Sequence, residues 1–166
     1  MSGLANAELA QLIGHVNAWR RVAADPREAA SASDLHPLAS SASDAEALLD
    51  EQYHHSIRLA VYGSLAPGKK NQHVLAKYGG SWTSGRVRGD VINAGWGAAH
   101  GYPGLVPRAD GPWVPVHVLE SPALPSGWQE LDDFEGSEYR RILLPVYAED
   151  ASASLVAVAN IYEIAR

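Results

Sequence analysis

"AVYGSLAPGKK", residues 60 to 70, supports two readings at once. Gly63, Gly68 and Lys69 stand at the G-x-x-x-x-G-K spacing of a loop in which backbone N–H groups cradle phosphates, a lysine reaches the terminal ones and a following hydroxyl holds Mg²⁺. Here Pro67 deletes one N–H and Lys70 stands in the place of the hydroxyl. The acidic residue needed after a buried strand has Asp150 as its best candidate, behind a run already broken by Pro145. The repeated strand-helix alternation of a doubly wound nucleotide fold is missing as well. The phosphate reading fails on these points, and by itself "YGSLAPG" reads as an ordinary tight turn, because Gly and Pro mark turns everywhere.

Outward from this loop the texture is that of a strand-rich domain. From Ile57 on, short apolar runs are punctuated by Gly and Pro: "IRLAVY", "GRVRGDVINAG", "WVPVHVLE", "RRILLPVYAE" and "SLVAVANIYEI" predict strands. Val114, Val116 and Val118 alternate, which suits one inward face, while Pro115 favours an edge or a bulge. Two helices interrupt the strands. One begins near Asn71 and stops at the glycine pair of "NQHVLAKYGG". The other is "SGWQELDDFEG", with Ser126 and Gln129 as a capping box and Trp128, Leu131 and Phe134 as its apolar stripe. These proportions predict an α+β fold on a small closed or nearly closed sheet.

Upstream, Leu9, Leu12, Ile13, Val16 and Trp19 predict an amphipathic helix over about 4–24. "DPREAASASDLHPLASSASDAE" reads as a linker, and the capping-box pair Ser43 and Glu46 predicts a short second helix from Asp44 to about His54. The chain thus divides into a helical extension with a Ser/Ala-rich linker, 1–56, and a strand-rich domain, 57–166. The apolar stripe of the first helix has to dock on that domain or on a second copy of the chain in a homodimer.

Composition narrows the function. Thirteen Lys+Arg against nineteen Asp+Glu, net charge −6, argue against capture of nucleic acid or of an anionic membrane. With Cys at zero, disulfides, thiolate nucleophiles and cysteine metal sites are excluded, which fits a reducing compartment. No stretch approaches the roughly 20 apolar residues of a membrane span, and the first arginines follow the apolar residues, the reverse of a secretory signal. The chain reads as cytoplasmic. The seven histidines fall at no recognised ligand spacing, so no metal is expected. Ser64 is not at a nucleophile elbow, because Tyr62 and Leu65 break G-x-S-x-G.

The order of "VYGSL" with Gly68 and Asn71 behind it, then "GYPGLVP" at 101–107 and "LDDFEGSEYRR" at 131–141, resembles the γ-glutamyl cyclotransferase-like superfamily, which includes the γ-glutamylamine cyclotransferases. The resemblance runs from residue 57 to the end; the extension inherits nothing from it. It implies a small mixed β-barrel with flanking helices and a site in a cavity at the end of the first strand. Tyr62, Gly63, Ser64 and Leu65 would hold the glutamyl part of the substrate, and Tyr139 and Arg141 match a Y-x-R pattern, Tyr139 as a binding residue. Gly68, Asn71 and Arg141 would give support, and Glu135 would carry the proton transfers. The implied reaction turns a γ-glutamyl amine, amino acid or peptide into 5-oxoproline and a free amine, without metal or cofactor.

The residues make chemical sense of this. Gly63 after a strand permits positive φ or a close backbone approach, so exposed N–H groups there suit a carboxylate. Glu135 falls in the last turn of its helix, where the dipole disfavours an anion, and Asp132 and Asp133 crowd it. Repulsion and burial would push such a carboxyl up toward general-base use. The competing arrangement has all three acids in solvent or paired with Arg140 and Arg141. A domain of the same shape that binds a small ligand or partner without turnover is the other reading of the whole.

Overall fold

The computed structural model describes residues 4–24, 32–93 and 103–165. The chain forms two compact units, Met1–His54 and His55–Arg166. In the first, helices α1 (Asn6–Ala24) and α2 (Ala32–Tyr53) pack on each other, and Arg20 reaches Glu46 at 2.7 Å. Leu9, Ile13 and Val16 of the predicted stripe are buried. The stretch read as a linker is in large part α2, and Ser43 lies inside that helix, so its capping box has no end to cap. Alanine explains the difference. Ala42, Ala45 and Leu49 form a buried stripe at helical spacing, but alanine is too small to register as an apolar signal while having the most favourable helix propensity of any residue.

The second unit is a β-barrel of mixed sense. Its strands are β1 (Arg58–Val61), β2 (Ser81–Ile92), β3 (Gly104–Pro107), β4 (Trp113–Glu120), β5 (Tyr139–Tyr147) and β6 (Leu155–Ile164). β1 lies antiparallel to β4, β4 to β2, β2 to β5 and β5 to β6, and a parallel pairing of β6 with β1 at Leu59 and Asn160 closes the ring. β3, outside the predicted strands, is added between β2 and β6. Gly101 and Tyr102 of "GYPGLVP" lie outside the described residues. Pro115 pairs with Arg86 of β2, whereas β1 reaches only as far along β4 as His117, so the missing N–H disturbs no two-sided ladder.

Alternation along the strands sorts the side chains into two layers. Val114, Val116 and Val118 join Ala60, Ile142 and Ile161 in the barrel interior. Leu59, Val61, Leu119 and Tyr162 face outward and pack with Leu65, Leu75, Leu124 and Leu131 from the loops and helices that flank the barrel. Helix α3 (His73–Ala76) is one turn long and leads to Gly79 and Gly80, both at positive φ. A Cβ on Gly80 would meet Glu120 O at 2.2 Å, so only glycine lets β2 start here.

Helix α4 (Trp128–Glu135) follows a 3-10 turn at Leu124–Ser126. Its cap is Gly127, with no side-chain bond, and Ser126 instead turns its hydroxyl back onto Ala123 O at 2.9 Å. The predicted capping box is therefore absent: the 3-10 turn takes the serine hydroxyl before the helix begins. Of the predicted stripe, Leu131 is buried and Trp128 donates its indole N–H to Ser56 O at 3.1 Å, but Phe134 is 38% exposed. Gly136, at φ 78, ends the helix and donates to Asp132 O at 3.0 Å. No described helix is long and apolar enough to cross a membrane.

Candidate functional site

A cavity of about 50 Å³, room for several waters, opens where β1 ends, between the loop that follows it and the last turn of α4. Tyr62, Gly63, Ser64, Leu65 and Asn71 line one wall; Phe134, Glu135, Tyr139, Tyr162 and Pro103 line the other. The loop holds itself in shape. Ala66 N–H donates to Gly63 O at 3.1 Å, Asn71 N–H to Ser64 O at 2.8 Å, and Asn71 Nδ2 to Ser64 Oγ at 2.9 Å. The N–H groups of Gly63, Ser64 and Leu65 donate to no group among the described residues, so they remain available to an anion or carbonyl.

Gly63 differs from expectation. Its φ is not positive, and a Cβ placed on it would meet nothing within 4 Å. The backbone does not need glycine there; the missing side chain instead leaves room in the cavity. The turn's demand for glycine falls on Gly68, at φ 78, whose N–H donates to Gln72 Oε1 at 2.9 Å and which does not line the cavity.

Tyr62 is pinned at both ends of its hydrogen-bonding capacity. Its hydroxyl donates to Tyr162 O at 2.7 Å and accepts from Leu105 N–H at 3.0 Å, and burial pushes its pKa up. It ties the loop to β6 and β3. Tyr139 reaches toward Pro103 O at 3.5 Å, and its phenol is likewise pushed up, by burial first and then by the Glu135 charge.

The three acids of α4 part company. Asp133 is exposed and accepts from Gln129 Nε2 at 3.0 Å. Asp132 takes both arms of Arg141, from Nε at 2.9 Å and Nη2 at 3.2 Å, and the Tyr162 hydroxyl at 2.7 Å. Glu135 lines the cavity, and its carboxyl is pushed up from 4.5 to about 7, chiefly by burial and secondarily by the charge of Asp132. Arg140, the other predicted partner, holds Glu163 at 3.2 Å instead. Arg141 stands behind the cavity wall rather than in it. A carboxyl that changes protonation near neutrality beside free N–H donors is equipped to move a proton at a bound amide or amine.

The gamma-glutamyl cyclotransferase, AIG2-like family model matches residues 59–166, from β1 through β6. The chain belongs to this family. Among solved structures it is similar to YkqA from Bacillus subtilis, at 25% identity and a TM-score of 0.48 over 64% of this chain and 35% of that one. It therefore spans about a third of the length of YkqA. PH0828 from Pyrococcus horikoshii is similar at 21% identity and a TM-score of 0.46, covering 66% of this chain and 79% of the other. A comparison with curated proteins finds no match.

Within the family domain, sequence reasoning passed over Tyr162, Phe134 and Pro103. Tyr162 carried a readable signal, since "LVAVANIY", residues 155 to 162, is apolar at nearly every position, the pattern of a strand covered on both faces. Phe134 looked like a core residue because helical spacing cannot distinguish a face against a sheet from one at a cavity mouth. Among the described residues no cluster of His, Asp and Glu suits a metal ion.

Proposed function

We propose that the chain is a γ-glutamyl cyclotransferase that converts a γ-glutamyl amine, amino acid or peptide into 5-oxoproline and a free amine, with Glu135 as general base and then general acid. The supporting observation is the Glu135 carboxyl, which lines the cavity at the end of β1 with its pKa held near 7. The substrate's α-amine nitrogen attacks its own γ-carbonyl carbon; that C–N bond forms and the bond to the leaving nitrogen breaks. Glu135 removes the proton from the attacking nitrogen and returns it to the leaving one, so no proton is gained or lost overall. Free N–H groups of the loop suit the glutamyl carboxylate or the carbonyl oxygen as charge develops, and the small cavity bends the flexible chain toward attack geometry. The lack of cysteine fits a cytoplasmic site of action.

The test is release of 5-oxoproline from a panel of γ-glutamyl amines, amino acids and peptides. Glu135→Gln should lower kcat by about 100-fold or more, the scale of general acid-base catalysis, with the fold intact by circular dichroism. In the wild type, kcat/KM should rise with pH through about 7 as Glu135 ionises. A cavity that binds these compounds without turnover, or a Glu135→Gln protein with wild-type turnover, would refute the proposal.

A further inference from the structure

Asp132 and Glu135 are three residues apart on α4, a spacing that puts both on one face of a helix near its negative end. Two carboxylates in that place compete for any cation within reach. A cation lies opposite on β5: Arg141, which gives Nε and Nη2 to Asp132. All three guanidinium nitrogens are engaged. Nη1 donates to Asn160 Oδ1 at 3.1 Å, Asn160 Nδ2 donates in turn to His55 O at 2.8 Å, and the Trp128 ring lies 4.5 Å from the guanidinium carbon. Tyr162 completes the shell of Asp132 with its hydroxyl while its side also lines the cavity.

We propose that Asp132 is a positioning residue for proton transfer by Glu135: by binding Arg141 and Tyr162 it keeps the guanidinium off Glu135 and leaves that carboxyl a usable base. The proposal rests on the reading of Glu135 as the proton carrier. An arginine paired directly with Glu135 would hold it ionised and make it a poor base, because an opposite charge within a few ångströms favours the charged form. Asp132 also contributes its own charge, the second cause of the upward push on Glu135. The phenols of Tyr62, Tyr139 and Tyr162 also feel the Glu135 charge and stay neutral throughout the useful pH range.

The experiment reads the Glu135 carboxyl directly, by carbon-13 NMR titration of the glutamate-labelled full chain, alongside the pH profile of kcat/KM. Asp132→Asn should move the Glu135 midpoint and the acid limb of the profile down by about one pH unit, since a like charge is lost and Arg141 is released. Arg141→Gln should move both up by a similar amount, and Arg141→Lys should bring them back toward the wild type. Opposite displacement by two members of one ion pair is a signature that simple loss of structure does not give. Should Asp132→Asn fail to fold, Tyr162→Phe removes one hydrogen bond from Asp132 and should shift the midpoint up by a smaller amount. Midpoints that stay put, or that move in the same sense in Asp132→Asn and Arg141→Gln, overturn the proposal. Opposite shifts in a chain that releases no 5-oxoproline would uphold the coupling and refute the cyclotransferase reading.

Discussion

The two layers of the barrel unit are built on the same strands and differ in everything else. The buried residues of the interior are aliphatic, among them Val87, Val116, Ile142 and Ile161, with Tyr62 packed against them. The outer layer mixes leucines with Tyr162, Asn160, Arg141 and Asp132, and the cavity opens beside it at the end of β1, between α4 and the strands, where Ala60 and Tyr62 of the interior side also line it. A small barrel fills its own inside with side chains, so a ligand has to be accommodated outside the ring, between strand ends and the elements laid over them.

If this division holds, the interior sets stability alone. Ile142→Ala, at a fully buried site, should cost about 2–5 kcal/mol in denaturant unfolding, while the protein that remains folded keeps its kcat/KM. A selective loss of turnover would show that the two layers are coupled.

The outer layer should show the converse, a residue that costs stability. Folded protein holds the Glu135 proton up to about pH 7, whereas the unfolded chain releases it near 4.5. Folding therefore takes up a proton between these values, and stability falls as pH rises through that window. Glu135→Gln should be more stable than the wild type at pH 8 by about 1–3 kcal/mol, the advantage vanishing near pH 4, as measured by urea unfolding at both pH values.

Smaller effects sharpen the contrast within the loop. Gly63→Ala meets no strain and no neighbour, so its melting temperature should match the wild type, while KM for a γ-glutamyl substrate rises by about tenfold because the methyl group intrudes on the ligand's space. Lys69→Ala, an exposed residue outside the cavity lining, should change neither, and the wild type should bind no Mg²⁺-nucleotide in calorimetry. Nucleotide binding lost in Lys69→Ala would restore the phosphate reading of the loop.

Much of this was legible in the chain. Alternation in "WVPVHVLE" foretold an inward face, and Gly136 foretold the end of α4. The long helix α2 was hidden because its buried stripe is largely alanine. Ser126 and Gln129 matched a capping pattern that the preceding 3-10 turn pre-empted.

The sequence by itself determined the strand-rich texture from Ile57 onward and the glycines without which the turns at Gly80 and Gly136 could not close. It also placed three acids at one helix end with two arginines close behind in the chain. Which acid meets which arginine was decided by tertiary structure. Asp132, Asp133 and Glu135 lie within about one helical turn, and their neighbours arrive from β5, β6 and the loop after β1, far away in the chain. The upward push on the Glu135 carboxyl is chiefly a matter of desolvation. Desolvation is the sum of everything packed around a group, and no local spacing of residues encodes it.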